Sequence, residues 1–267
     1  MSTATATRDR LVAADLMEDG TLLRLTLDRP PANVLTMATV GELGAALEAH
    51  RARPELRLVV LRGAGKHFSF GASVEEHRRD QASAMLANFH DFIRRLAAYP
   101  VPTAALVDGQ CLGGGFEVAL TCHFLFATPR ASFACPEIKL GVFPPVLAAL
   151  GHQRFGGLVS ERLVLTGEAM GAATAERLGF LTALFDAGDD AGERLIEWYR
   201  RTLRPLSAYA LRQATRAARE ASGLLAALDR ALAAAERLYL EEVVPSHDGN
   251  EGLEAFLAKR RPEWRDA

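Results

Sequence analysis

Apolar residues recur along this chain with two different periods, and the period decides the element. Residues 21–27 alternate and are rich in Leu and Thr, as a half-buried strand requires, and Asp28-Arg29-Pro30-Pro31 ends the run. Residues 36–50 place Met37, Val40, Leu43 and Leu47 three or four apart, the spacing of one helix face. Residues 56–61 are almost continuously apolar up to Gly63-Ala64-Gly65, which predicts a strand covered on both sides. A helix is expected over 81–99, stopped by Pro100 and Pro102, followed by strands at Thr103–Val107 and Phe124–Ala127. Strands and helices alternate to about residue 185, the pattern of an α/β domain with parallel pairing.

Beyond about residue 190 the texture is helical only, with expected helices over 193–204, 207–222, 224–240 and 252–260. Leu224, Leu225, Leu228, Leu232, Ala235 and Leu238 form one apolar stripe. Such a stripe packs either on its own domain or on a second copy of the chain. The change of texture divides the chain into a core over 1–195 and a helical region over 196–267.

Composition narrows the classes. The 267 residues suffice for a large core, and 49% apolar with 24% charged residues is an ordinary soluble balance. Net charge is −2, which offers nothing to nucleic acid or an anionic membrane. The basic runs Arg94-Arg95, Arg200-Arg201 and Lys259-Arg260-Arg261 read as solvated helix faces. No apolar run approaches the roughly 18–20 residues that span a bilayer. The opening MSTATATRDR has no apolar stretch of a secretory signal and reads as a frayed tail rather than a transit peptide. Cys111, Cys122 and Cys135 are odd in number and widely spaced, so they read as free thiols in a reducing, cytoplasmic setting. No paired spacing suggests zinc.

Several familiar site patterns fail on inspection. Phe68 stands where a dinucleotide fingerprint needs its third glycine after Gly63 and Gly65. Gly115 stands where a P-loop needs lysine after Gly109 and Gly114, and no G-x-S-x-G elbow is present. Cys111 reads as a small buried residue. Two segments survive, Gly65 to Glu75 and Asp108 to Ala119, each leaving a strand through small residues. Small residues let backbone N–H groups approach a ligand, and two such groups on one oxygen make an oxyanion hole. The same glycines suit an ordinary turn.

Glu117 lies two residues after the glycine run, and Glu137 follows twenty positions later, both among apolar neighbours. A carboxylate so placed either pairs with a cation or has its pKa raised toward a value useful for proton transfer. Two such groups can share the base and acid work of adding water to an activated double bond. From spacing alone, a surface Glu117 and a helix-capping Glu137 remain equally open.

Gly71-Ala72-Ser73, Gly113-Gly114-Gly115-Phe116-Glu117 and Pro136-Glu137-Ile138-Lys139-Leu140-Gly141 resemble, in order, three blocks of the enoyl-CoA hydratase/isomerase (crotonase) family. The ending from His247 to Pro262 is similar to that family's C-terminal helix, so the resemblance covers essentially the whole chain. It implies a crotonase ββα superhelix with a helical C-terminal oligomerisation region. It implies an acyl-CoA substrate, a homotrimer or homohexamer, and no metal or redox cofactor, coenzyme A being part of the substrate.

Residue by residue, the resemblance makes Ala72 and Gly114 the oxyanion-hole donors and Glu117 and Glu137 the acid–base pair. Ala72, Ser73, Val74 and Glu75 would run beside coenzyme A, with Gly113, Gly114 and Phe143 also at the ligand. Phe256 and Lys259 would reach the adenine of a coenzyme A held by a neighbouring subunit. Two departures stand out: Ser73 replaces the family's usual acidic residue, and Val142-Phe143-Pro144-Pro145-Val146-Leu147 replaces a glycine-rich loop. Phe68 to His77, with Gly141 to Pro144, looks most like the family's cyclohexa-1,5-diene-1-carbonyl-CoA hydratases. His77 reads as a half-exposed helix residue, or as part of the pocket wall. The rivals are a Δ-isomerase, which uses no water, and a non-catalytic acyl-CoA-binding protein.

Overall fold

In the computed structural model, which describes residues 10–267, β1 (Val12–Met17) pairs antiparallel with β2 (Leu22–Leu27). The segment read as a frayed tail, apart from Arg10, lies outside the described residues. Along β2 successive side chains face opposite sides of the sheet, as strand geometry dictates. Leu23, Leu25 and Leu27 enter one buried cluster and Leu22 another. The division continues through β3 (Leu58–Gly63), where Val59 and Leu61 face the first cluster and Leu58 and Val60 the second. It continues again through β4 (Thr103–Val107), every residue of which is buried. These strands are apolar on both faces because both faces are covered.

The first cluster is closed by α1 (Met37–His50) and α2 (Ala82–Ala97) through Val40, Leu43, Phe92 and Ile93. The strand β5 (Gln110–Leu112) then leads into the buried helix α3 (Gly114–Thr121). After β6 (Phe124–Ala127) and β7 (Ser132–Ala134) the chain enters α4 (Pro145–Phe155) and α5 (Gly157–Thr166). The strand β8 (Met170–Gly171), helix α6 (Ala172–Arg177) and strand β9 (Ala183–Leu184) complete the α/β part. The main sheet has the order β1-β2-β3-β4-β6-β9, parallel from β2 onward. A second, three-stranded sheet has the order β5-β7-β8.

Four readings change. β1 was not expected. The strand expected at 56–61 begins at Leu58, because Leu56 closes a turn onto Arg53 while remaining fully buried. The boundary at 195/196 falls inside α7 (Ala191–Thr202), whose Leu195 and Tyr199 cover the second face of the sheet. The helix expected over 252–260 is α10 (His247–Leu257), capped by the Ser246 side chain, which accepts the Gly249 N–H.

The remaining tail comprises α8 (Ala208–Glu220), α9 (Leu224–Leu238) and a π turn over Tyr239–Val243. Leu228 and Leu232 are fully buried in the main core, with α9 lying on α4 and α2. The apolar stripe therefore packs inside its own chain, and only its end, Leu238, is 52% exposed. Leu228→Asp should accordingly cost at least about 3 kcal/mol of folding stability, since it buries a charge and removes a packed leucine. A denaturant titration measures this. A variant that keeps its midpoint but separates into monomers would overturn the placement. Among the described residues no helix is long and apolar enough to cross a membrane.

Candidate active site

The site is built from turns that leave the two sheets. Asn33 pins the first, its Nδ2 donating to the carbonyls of Ala64 and His67 at 2.9 Å each. Ser69 Oγ donates to the Asn33 carbonyl (2.8 Å) and accepts the Gly71 N–H (3.0 Å), so the chain arrives at Ala72 in one fixed direction. The second turn runs from β5 through Gly113, at φ 48° and ψ −129°, into α3. A Cβ on Gly113 would lie 2.6 Å from Glu137 Oε1. Glycine is thus needed both for the backbone angle and for the room the carboxylate takes. A Cβ on Gly114 would lie 3.3 Å from the Ala72 nitrogen, which puts the two expected donors side by side. Among the described residues neither N–H has a protein acceptor, so both are free to meet one ligand oxygen.

Glu117 projects from α3 and is 3% exposed. Its Oε1 accepts the N–H groups of Val146 (2.8 Å) and Leu147 (2.9 Å), among the first donors of α4. Pro145 opens α4 where a missing N–H loses nothing. The proline segment expected to act as a stiff loop is therefore half helix, and its helix end holds a carboxylate. Glu137 stands on the 3-10 turn Pro136–Leu140, with Oε2 buried and, among the described residues, without a hydrogen-bond partner.

Burial pushes both carboxyls above the ordinary glutamate range. For Glu117 the two N–H bonds oppose the shift. For Glu137 the negative charge of Glu117 adds to it, opposed only by a backbone hydrogen bond. The two N–H bonds favour the charge on Glu117, while burial beside that charge favours the proton on Glu137. A carboxyl whose folded pKa is raised contributes stability that is full below its unfolded pKa and is lost as pH rises through the folded one. Glu137→Gln should therefore raise Tm by at least about 2 °C at pH 8, with the gap closing towards pH 5. Thermal melts at the two pH values check it, and a gap that widens on acidification would contradict the assignment.

An outer cleft of about 840 Å³ runs along Gly71, Ala72, Ser73, Val74 and Glu75 to α10, with Gly113 and Glu137 at its inner end. Beyond Ala72, His77 and Glu137 lies an inner pocket of about 20 Å³, lined also by Gly114, Glu117 and Phe143. The structure thus gathers Ala72, Ser73, Val74, Glu75, Gly113, Gly114, Glu117, Glu137 and Phe143 around two cavities that share Ala72, His77 and Glu137 in their walls. His77, half-buried on a 3-10 turn, lines both cavities and donates Nδ1–H to the Ser73 carbonyl at 2.7 Å, so it is at once a half-exposed helix residue and part of the pocket wall.

Phe256 lines the cleft of its own chain, because α10 packs on the turn carrying Glu137. Lys259 lies outside that lining, which includes Arg260. The sequence reading missed His90, from α2, and Tyr239, from the π turn, both of which line the inner pocket. No local motif announces either. Helical spacing places His90 beside Phe89 and Ile93 on the buried face, where it reads as core.

The geometry agrees with the comparisons. The enoyl-CoA hydratase/isomerase profile matches residues 18–267, and the chain belongs to that family. By family and fold it is an enzyme of the enoyl-CoA hydratase type, a lyase. It is 43% identical over 251 residues to cyclohexa-1,5-dienecarbonyl-CoA hydratase of Thauera aromatica, covering 94% of this chain and 95% of that protein. It is 35% identical over 250 residues to a probable enoyl-CoA hydratase of Rhizobium meliloti (strain 1021), covering 90% and 93%. Among solved structures, an enoyl-CoA hydratase from Mycobacterium avium subsp. paratuberculosis K-10 superposes with a TM-score of 0.82 at 28% identity. That match covers 96% of this chain and 99% of the other, so the crotonase fold is shared throughout.

Proposed function

We propose that the protein adds water to, or removes it from, a cyclic dienoyl-CoA such as cyclohexa-1,5-diene-1-carbonyl-CoA. The observation that supports the hydratase reading is a pair of buried carboxyls on one water-sized pocket, Glu117 held by two N–H groups and Glu137 Oε2 without a partner among the described residues, with Ala72 and Gly114 beside them. In the forward direction Glu117 takes a proton from water as its oxygen bonds to the far end of the conjugated system. The π electrons move onto the thioester oxygen, which the Ala72 and Gly114 N–H groups receive. Glu137 gives its proton to the resulting enolate, and the thioester carbonyl re-forms. Coenzyme A enters with the substrate along Ala72–Glu75 and α10, and no further cofactor takes part.

The ring preference rests on the pocket wall. Phe143 packs edge-on against Tyr239, with ring centroids 5.4 Å apart, and Pro144-Pro145 lead directly into α4. A rigid wall favours an acyl group with little conformational entropy to lose. The Thauera aromatica relative supports the same choice. A homotrimer or homohexamer belongs to this proposal, supported by exposed Leu158 (87%) and Leu165 (68%) on α5. The free, buried cysteines support a reducing compartment such as the cytoplasm.

The test is a competition between cyclohexa-1,5-diene-1-carbonyl-CoA and crotonyl-CoA in ¹⁸O-labelled water, each product followed by mass. We expect label in the product and kcat/KM for the ring substrate at least about tenfold higher, or roughly 1.4 kcal/mol. Turnover without label would replace the hydratase by an isomerase. Equal or reversed preference would remove the ring.

A further inference from the structure

Two buried polar atoms on the inner pocket are not used by the glutamate pair. Among the described residues, His90 Nε2 and Tyr239 Oη have no hydrogen-bond partner, although both side chains are almost completely buried. Leaving such a group unpaired costs about 1–3 kcal/mol, so two on one cavity wall point to something that pairs with them. Both line the pocket that also holds Glu117 and Glu137. At about 20 Å³ it has room for one water or one hydroxyl.

The tautomer of His90 fixes what each atom offers. Nδ1 lies 2.6 Å from Glu236 Oε2, and a carboxylate only accepts, so the imidazole proton sits on Nδ1. Nε2 is then an acceptor and Tyr239 Oη a donor, each unpartnered on a side chain that lines the pocket. Glu236 and Tyr239 are three residues apart where α9 passes into its π turn, so one helix surface supplies both supports.

We propose that His90 and Tyr239 hold the reacting oxygen, as water before addition and as the new hydroxyl after it. The reading rests on the hydratase assignment above, not on the ring. Water has two protons and two lone pairs. Glu117 and His90 Nε2 can accept the protons, while Tyr239 and protonated Glu137 can donate to the lone pairs. Two donors and two acceptors thus match one oxygen. After transfer of one proton to Glu117, the hydroxyl keeps its remaining proton on His90 Nε2. A ketone or plain hydrocarbon at this place would leave His90 Nε2 unpaired.

The experiment compares binding of 3-hydroxybutyryl-CoA and butyryl-CoA by calorimetry, with Glu137→Gln present throughout to suppress turnover. The background should prefer the hydroxylated thioester by at least about tenfold. Adding Tyr239→Phe, or separately His90→Phe, should reduce the preference to about twofold or less while butyryl-CoA affinity changes by less than about twofold. Tyr239→Phe should also leave Tm equal or higher, because the hydroxyl it removes has no partner in the protein. That readout keeps the test valid if His90→Phe misfolds. A preference retained in Tyr239→Phe, or no preference in the background, would overturn the proposal. Failure of the wild-type protein to bind either thioester would instead bring down the acyl-CoA reading itself.

Discussion

Glu117→Gln and Glu137→Gln should each lower kcat by at least about 100-fold while affinity for coenzyme A stays the same. The substitutions are close to isosteric, and the local structure tolerates them. In Glu117→Gln the new amide oxygen can still accept the Val146 and Leu147 N–H groups, so α4 keeps its anchor. The amide cannot take a proton from water. In Glu137→Gln the new side chain fills the same volume but has no acidic proton to give.

The two variants should nevertheless differ in pH dependence. The charge on Glu117 helps to raise Glu137, so removing it lets the Glu137 pKa fall. Residual activity of Glu117→Gln that needs protonated Glu137 should then decline at lower pH than in the wild type. The double variant should be far from multiplicative, because the groups act on one oxygen. Stopped assays on an enoyl-CoA across pH 5–9 supply both readouts. Near-full activity in either single variant would remove its assigned role.

What could be read in the sequence is what lies close together along it. Gly113, Gly114 and Glu117 occupy one strand-to-helix turn, and Ala72 follows another, so their short-range patterns survive without three-dimensional knowledge. The long apolar runs of β3, β4 and β6 and the spacing of α1 and α2 were legible because each buries a whole face. The second sheet was not, since β5 and β7 have three residues and β8 two, too short to show alternation.

The early start of α10 was hidden for a different reason. Gly249 and Gly252 look like loop residues, yet a Cβ on Gly252 would collide with the Leu140 carbonyl. Glycine there lets the helix press against the turn carrying Glu137. That contact also puts Phe256 on its own chain's cleft, which no pattern of spacing could show. His90, Glu236 and Tyr239 meet across about 150 positions of sequence only because α9 docks on α2, and that docking was the open question about the leucine stripe.

Removal of the Gly114 N–H should be as damaging as removal of either carboxyl. Gly114 is the first residue of α3, a position where proline's missing N–H breaks no helical bond. The restriction that proline imposes on the preceding residue is directed against helical geometry, and Gly113 is not helical. Gly114→Pro is therefore compatible with the helix while deleting one of the two oxyanion donors. Deleting one such donor elsewhere costs on the order of 10²–10³ in kcat. Steric change is the competing explanation, because a Cβ here would sit 3.3 Å from both the Ala72 nitrogen and the Phe89 ring. Gly114→Ala introduces the same Cβ and keeps the N–H, so it isolates that effect. We expect Gly114→Pro to fall at least about 100-fold below Gly114→Ala in kcat, with Tm values of the two within a few degrees. If the two variants lose activity equally, crowding against Ala72 and Phe89 explains the loss, and Gly114 is not an oxyanion donor.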